Sequence, residues 1–457
     1  MANYQLNLAV NGELGDVTAK LTAVTVSTET APSADGHRTR PSTVAVIGMG
    51  YVGLPTALAL HTAGMRILGI DISQDRLDAI RSTRVDLLET QLAELAVAVR
   101  SPDFLLTTDP AAIETADAVV LCVPTPIDKH RLPELGPLQA ACADVVKHAQ
   151  RGQVIILTST SFVGTTRQLL IDPLAERGFT VGADICVAFS PERIDPGVDN
   201  HRLRETPRLI GADTERCVQR AADVVGRLTD QVFAVSSPEV AELAKLYENV
   251  FRAVNLALAN EIADICRPLD LDPIEVTAAA ATKPYGFLAC FPGPGVGGHC
   301  IPCDPHYLLW QLRQVPIAAP LTELAMTAIA RRPQQVVGRA VEALSGGGVA
   351  LALAKVVVVG VSYKPGVRDL RGSSAVEIIE QLVRRGAEVG YHDPLVPEVR
   401  LPDGQVLTGE ADPKGANWDL ALIHTVHPGV DYSWATDCPR VLDATYRFEV
   451  AKQREVV

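Results

Sequence analysis

The sequence predicts an α/β protein built as an α/β region, a run of central helices and a second α/β region. Three observations predict it. Short β-branched runs alternate with helix-compatible stretches from Thr43 to Val235. A long stretch without glycine or proline follows, and the strand–helix alternation resumes at Lys355. The 457 residues fit about three domains. The expected divisions are a weakly ordered extension over 1–40, a first α/β domain over 41–236, central helices over 237–344 and a second α/β domain over 345–457.

The extension is dense in Ser, Thr, Pro, Ala and Asp near its end. It lacks a basic start followed by an apolar core, so no secretory signal is read there. Nine scattered cysteines, an odd number without a regular framework, fit a reducing compartment, and a cytoplasmic location is expected. The longest apolar run, 349–361, carries Lys355 and is too short to span a bilayer, so no membrane is expected.

Regularity begins with the strand Thr43–Ile47, which ends at a glycine. A helix over 51–63 and a strand over Arg66–Ile70 ending at Asp71 come next. Further strands are read at 118–122, Val154–Leu157, 185–189 and 208–210, and the last of this region at 231–235. Ser237 and Pro238 suit an N-cap and first helical residue, and the helix they open runs to about Cys266. Helical signals continue to Thr282, a Gly/Pro-dense loop spans 284–305, and another helix covers roughly 320–344. Residues 345–348 read as a linker. The second α/β region has a strand at Lys355–Val359, a helix over 373–385, a strand over 388–391 before Asp393, and strands at 420–424 and 440–442.

With 41 Lys and Arg against 54 Asp and Glu, the formal charge is −13. That balance argues against tracking of nucleic-acid phosphates and leaves room for one anionic ligand in a local pocket.

Gly48-Met-Gly50-Tyr-Val-Gly53 is a G-x-G-x-x-G that follows a strand and opens a helix, with Asp71 ending the next strand. That context points to a dinucleotide: the glycines admit the pyrophosphate, the helix N-terminus offers N–H groups, and Asp71 accepts from ribose hydroxyls. A carboxylate there repels a 2′-phosphate, favouring NAD over NADP. The alternative is a glycine turn that only tightens strand–helix packing. Gly297-Gly298-His299-Cys300 sets a cysteine in a glycine-rich loop, where a thiolate beside a nicotinamide suggests covalent aldehyde oxidation through a thiohemiacetal and a thioester. Alternatives are a structural thiol, or half a zinc site or a redox pair, since Cys300-Ile-Pro-Cys303 is a C-x-x-C flanked by histidines. No second Cys/His cluster stands out, and no metal is expected. Lys245, Asn249 and Arg252 fall at i, i+4 and i+7 on the long helix, as a solvated stripe or as the lining of a site. Pro124-Thr125-Pro126, Ser159-Thr160 and Ser190-Pro191-Glu192-Arg193 each follow a strand, where ligand crevices of α/β sheets form.

Taken in order, these motifs resemble one family, the nucleotide-sugar (UDP-glucose/GDP-mannose type) 6-dehydrogenases. The matching pieces are GMGYVGLP from Gly48, VPTP from Val123, STSFVGT from Ser159, SPERIDPG from Ser190, AELAKLYENVFRAVNLALANE from Ala241, FPGPGVGGHCIPCD from Phe291 and GVSYKPGVRDLRGSS from Gly360. Together they extend over nearly all of 43–447.

The resemblance implies two Rossmann-like domains with parallel sheets, one for NAD and one for UDP, joined by a central long-helix dimerisation region. It implies a four-electron oxidation of a sugar C6 alcohol to a carboxylate with two NAD⁺. Cys300 is then the nucleophile. Lys245 and Asp304 handle protons, Lys245 also steadies an oxyanion, and Asn249 donates to the reacting oxygen. Glu192 is the base for thioester hydrolysis and Thr160 positions the water. Cofactor contacts are implied at Gly48, Gly50, Tyr51, Val52, Gly53, Asp71, Arg76, Thr125, Thr160 and Arg371, the last making the site composite between domains. Substrate contacts are implied at Glu192, Arg193, Lys245, Asn249, Gly297 and Lys364. Arg252 is expected at a neighbouring subunit's substrate, so a homodimer or larger homo-oligomer is implied.

Within the family, the SPERIDPG, TKPYGF and PGPGVGGHCIP loops resemble UDP-N-acetylhexosamine dehydrogenases, particularly UDP-N-acetylglucosamine 6-dehydrogenases. UDP-N-acetylmannosamine or UDP-glucose are the alternative substrates, and a non-catalytic NAD-responsive binding protein is the alternative of another class. Two departures stand out. Cys303 replaces a usual aliphatic residue, and Asp443-Ala-Thr-Tyr446-Arg447 stands where Asp-Thr-Arg is usual.

Overall fold

The computed structural model describes residues 22–24, 42–193, 204–448 and 455–456. Nearly all of the expected 1–40 extension, and residues 194–197 of the SPERIDPG motif, lie outside the described residues. The described chain divides into two compact units. One holds 22–24, 42–193, 204–248 and 306–314; the other holds 249–305, 315–448 and 455–456.

The first unit is a nine-stranded sheet. Its strands are β1 (Thr22–Ala23), β2 (Thr43–Ile47), β3 (Arg66–Ile70), β4 (Phe104–Thr107), β5 (Ala118–Leu121), β6 (Val154–Leu157), β7 (Cys186–Phe189), β8 (Arg208–Gly211) and β9 (Val232–Val235), in the order β1-β9-β8-β7-β6-β5-β2-β3-β4. Pairing is parallel from β4 through β7. It is antiparallel only at β7–β8 and β1–β9. Alternation sets the two faces. Val44, Val46, Val120 and Ile156 pack with helices Gly53–Thr62, Gln74–Arg81, Glu89–Ala98 and Glu215–Val225, while Ala45, Ile47, Leu121 and Leu157 pack with helix Gly136–His148. Strands buried on both faces read as continuous apolar runs, which is why they were legible. The short edge strands β1 and β4 were not expected. β4 is only partly buried and carries a weak signal.

The chain runs from β2 outward to β3 and β4, then returns from β4 to β5 on the other side of β2. The end of β2 is therefore a topological switch point, where doubly wound sheets bind ligands.

The second unit repeats this plan in smaller form. Strands β10 (Lys355–Val359), β11 (Glu388–His392), β14 (Leu420–Ile423), β15 (Val441–Asp443) and β16 (Glu455–Val456) form an all-parallel sheet, ordered β11-β10-β14-β15-β16. A separate hairpin, β12 (Glu398–Arg400) with β13 (Val406–Thr408), is an addition the sequence did not suggest. Helices Ser374–Arg384 and Pro320–Gly346 contribute Ile378, Leu382, Val337 and Leu344 to the core beneath Val356 and Val358.

The long helix runs Pro238–Cys266, as its composition requires. Two expectations change around it. The helical signal to Thr282 breaks at Arg267–Leu269, where Asp270 turns left-handed (φ 57°). A new helix then starts at Pro273 with Asp272 as its cap. The loop expected to extend to 305 instead ends at helix Cys300–Leu312. Pro302 masked that start, yet proline fits a first helical turn, whose N–H groups have no intrahelical partner. Among the described residues no helix is long and apolar enough to cross a membrane.

Candidate active site

In the first unit the glycine loop is built by backbone contact. Gly48 has φ +86°, and its N–H donates to the Ile70 carbonyl at 2.8 Å. A Cβ on Gly48 would press on the Cys122 carbonyl, and one on Gly53 would collide with the Gly48 carbonyl oxygen. Gly50 differs: a Cβ there meets nothing within 4 Å. Gly48 and Gly53 are therefore structural, and Gly50 borders open space next to the N-terminus of helix Gly53–Thr62. The Asp71 carboxylate accepts from the Met49 N–H at 2.8 Å and the Ser73 N–H at 2.9 Å. Arg76 donates to the Met49 carbonyl at 2.8 Å. Val52 is half-buried at the start of the helix, Tyr51 is exposed, and so is Ile72 beside Asp71. Neutral N–H groups, a helix N-terminus, an open cradle and a carboxylate at the next strand end fit an adenine dinucleotide.

The neighbouring strand ends carry the other polar turns. Thr125 is buried after β5, and Thr160 is half-buried after β6. Ser159 Oγ donates to the Val123 carbonyl at 2.8 Å, joining these two turns. After β7, Glu192 is paired on both oxygens: Arg193 N–H donates to one at 2.8 Å and the buried Arg208 guanidinium to the other at 2.6 Å. Arg193 turns away, to Glu248 at 2.7 Å and the Pro207 carbonyl at 2.9 Å. Arg208, the partner that fixes Glu192, was not foreseen, because it opens β8 and reads as a strand residue. Lys245 is buried on the long helix, so a solvated stripe is excluded at that position. Cys122, beside the glycine loop, has its thiol pushed up to about 12 by burial and then by the Glu192 charge, so it is a poor nucleophile.

In the second unit Asn249 and Asp304 are both buried, and the Asn249 amide donates to the Asp304 carboxylate. Arg252, one turn on from Asn249, is exposed. Cys300 is exposed as the first residue of its helix, where the positive dipole end favours a thiolate. The glycines before it let two loops touch. A Cβ on Gly297 would strike Tyr363, Gly298 (φ +82°) donates its N–H to the Arg371 carbonyl at 2.9 Å, and Gly372 faces the Gly298 carbonyl. The loop that carries Lys364 and Arg371 is thus locked to the loop that carries Cys300.

Arg371 is held by Asp369 at 2.7 Å. Lys364 is half-buried, in a loop that His427 orders: its Nδ1 accepts from the Gly366 N–H at 3.0 Å, and its Nε2 faces Asp393 at 3.1 Å. His299 is held below its usual pKa by burial and then by Arg371, and its Nε2 is buried without a hydrogen-bond partner.

One cluster was missed entirely. Arg332, fully buried, donates to the Gly293 carbonyl at 3.0 Å, to Asp264 at 2.9 Å and to the Tyr446 hydroxyl at 2.6 Å. Asn260 accepts the Gly293 N–H at 3.0 Å, and the Arg447 guanidinium lies 4.3 Å over the Phe291 ring. The altered 443–447 segment therefore anchors the start of the Cys300 loop. Only the unusual Tyr446-Arg447 pair in the sequence signalled it.

Comparison with known proteins matches three family models. They are the UDP-glucose/GDP-mannose dehydrogenase family NAD-binding domain over 42–229, central domain over 239–328 and UDP-binding domain over 357–449. The chain is 35% identical over 353 residues to an NDP-N-acetyl-D-galactosaminuronic acid dehydrogenase of Ralstonia solanacearum, covering 75% of this chain and 80% of that one. It is 30% identical over 387 residues to a UDP-N-acetyl-D-glucosamine 6-dehydrogenase of Pseudomonas aeruginosa, covering 84% and 90%. A solved structure of a UDP-D-ManNAc dehydrogenase from Pyrococcus horikoshii superposes with TM-score 0.81 at 28% identity, covering 91% and 98%.

Proposed function

The chain belongs to the UDP-glucose/GDP-mannose dehydrogenase family as an NAD-dependent UDP-sugar dehydrogenase, and we propose that it oxidises the C6 hydroxyl of UDP-N-acetylglucosamine to the carboxylate. The observation that carries this reading is Cys300, an exposed thiol at a helix N-terminus, in the same unit as the buried Asn249–Asp304 pair. The acetamido preference is supported by the relatives named above and by the loops around 190, 282 and 293.

The Gly48–Gly53 loop and Asp71 would hold NAD, which would supply the hydride acceptor for both oxidation steps. The remaining steps belong to the chain. Lys245, buried on the long helix, accepts the proton of the C6 hydroxyl on its Nζ lone pair and, once protonated, steadies the negative oxygen and later returns the proton. Asp304 holds one N–H of the Asn249 amide, which aims the other at the reacting oxygen. Cys300 adds to the aldehyde as a thiolate, giving a thiohemiacetal and, after the second oxidation, a thioester. Glu192 draws the proton from the hydrolytic water, which Thr160 orients. Its Arg208 partner fixes the carboxylate in direction. Lys364 and Arg193 serve the UDP-sugar, with the Gly297 backbone close by, and Arg371, released from Asp369, serves the cofactor pyrophosphate.

The domain divisions at 41–236, 237–344 and 345–457 belong to the same reading, and so does a homodimer. Val240, Tyr247, Phe251, Leu258 and Ile265 are exposed at spacings of four and seven on one helix, an apolar stripe suited to a second copy. Arg252 lies beside that stripe and would serve the partner's substrate. Initial rates of NADH formation with UDP-N-acetylglucosamine, UDP-N-acetylmannosamine, UDP-N-acetylgalactosamine and UDP-glucose test the substrate. The gluco epimer is expected to give the highest kcat/KM. A preference for UDP-N-acetylmannosamine, the substrate class named for the Pyrococcus enzyme, would replace it, and preference for UDP-glucose would remove the acetamido reading.

A further inference from the structure

We infer that Cys300 and Cys303 form a reversible oxidation site, in which a hydroperoxide converts the two thiols to a disulfide and halts turnover. The effect on turnover rests on the proposed role of Cys300; the bond itself does not.

All nine cysteines lie within the described residues and carry thiols, and Cys300 is the exposed one. Cys303 is buried one helical turn later, with its N–H donating to the His299 carbonyl at 3.2 Å. The first turn is thereby closed, and residues at i and i+3 share one face of it. Cβ atoms so spaced lie about 5–6 Å apart, and a disulfide needs about 3.5–4.5 Å. The approach of about 1 Å falls on the first turn, whose N–H groups hold it with the fewest helical bonds. Pro302, between the two cysteines, adds no N–H donor to it.

An accessible thiol at a helix N-terminus, beside a buried second thiol, is the arrangement of oxidation-sensing cysteine pairs. Among the described residues no group of three His, Cys, Asp or Glu side chains is placed to hold a metal ion.

The chemistry balances without another co-reactant. The Cys300 thiolate attacks the peroxide O–O bond, takes a hydroxyl group and expels an alkoxide, which is protonated to the alcohol. The product is the Cys300 sulfenic acid. The Cys303 sulfur then attacks the Cys300 sulfur and displaces hydroxide, which leaves as water with the Cys303 proton. Two thiols and one hydroperoxide yield one disulfide, one alcohol and one water. A dithiol reverses the bond by exchange. Without Cys303, a second hydroperoxide carries the sulfenic acid to the irreversible sulfinic acid.

The test treats the full chain with excess hydrogen peroxide and reads intact mass, with fragmentation to locate the change. Fragmentation matters because Cys290 shares the segment. The expected result is loss of two hydrogens, localised to Cys300 and Cys303, and full return of both thiols under dithiothreitol. Cys303→Ser, with Cys303→Ala in reserve if it folds poorly, is expected to gain oxygen at Cys300 that dithiothreitol does not remove. Overturning results are oxygen addition at Cys300 in the wild-type chain without hydrogen loss, or a Cys303 variant that regains its Cys300 thiol as fully as wild type. Mass is read without substrate, so a failure here is distinct from a failure to form NADH from nucleotide sugars.

Discussion

At single residues the three glycines of the first loop look alike in sequence and differ in what surrounds them. Gly50→Ala puts a methyl group into open space beside the expected pyrophosphate, so it should leave the melting temperature near wild type while weakening NAD binding. Gly53→Ala drives a methyl into the Gly48 carbonyl and should lower the melting temperature itself. Calorimetry paired with NAD titration separates the two, and equal effects on both measures would contradict the division of labour. Glu192→Gln should slow thioester hydrolysis by roughly 10²–10⁴-fold, so that a uronyl adduct on Cys300 accumulates in intact mass spectra. An unmodified enzyme with the same loss of rate would instead give Glu192 an earlier role. The glycine loop and the polar turns at Thr125, Thr160 and Glu192 were legible because each follows a strand end. Their restraints were not: Arg208 lies 16 positions from Glu192, His427 lies 61 from Gly366 in the Lys364 loop, Asp369 and Arg371 share an ordinary-looking turn, and pairing of that kind leaves no periodic trace in a sequence.

At the scale of elements, the loop from Phe291 to Cys300 carries the proposed nucleophile. Its glycines let it lie against the 363–374 loop, and Arg332, Asn260 and Arg447 fasten its start. Tyr446 reaches Arg332 from a left-handed backbone (φ 62°), a conformation that a bulky side chain holds only under outside constraint. Tyr446→Phe removes one hydroxyl from a buried guanidinium and should cost about 1–3 kcal/mol of stability. It should also speed alkylation of Cys300 by iodoacetamide, since a looser loop exposes the thiol more often. Unchanged stability and unchanged alkylation would show that the latch restrains nothing. Long helices were readable from their lack of glycine and proline. The start of the helix at Cys300 was not, because Gly297, Gly298 and Pro302 punctuate the sequence as a loop would, and only the Cys303-to-His299 hydrogen bond reveals the turn.

Across the whole molecule, each unit repeats one device. Gly48 after β2 and Gly360 after β10 both have positive φ and donate to the end of the next strand, at Ile70 and His392, and an aspartate follows each, Asp71 and Asp393. In the first unit Asp71 is half-buried and binds the loop N–H. In the second, Asp393 is buried against Val361, Ser362 and His427. Burial alone would raise the Asp393 carboxyl, but the His427 ring and the Val361 N–H outweigh it and hold it down at about 2. A depressed carboxylate stabilises the fold above its unfolded value of about 3.8 and loses that contribution as pH falls towards 2. Buried histidines act earlier: burial lowers His306 to about 4 and His424 to about 3, so the unfolded chain binds protons that the folded one refuses below about pH 6.5. Stability should therefore fall from pH 7.5 to 5.5, by about 1 kcal/mol per histidine, and His424→Asn should flatten part of the slope. A melting temperature constant over that range would contradict it. The doubly wound architecture was visible in strand and helix alternation, whereas the antiparallel β8 and the β12–β13 hairpin were not, since strand direction depends on distant pairing. The central claim is a four-electron oxidation completed on one thiol. The most direct measurement is the ratio of NADH formed to UDP-N-acetylglucosamine consumed at completion, with Cys300→Ser as the companion. The account predicts two NADH per sugar for the wild-type chain and no uronic acid from the variant; one NADH per sugar, or none with any nucleotide sugar, would contradict it.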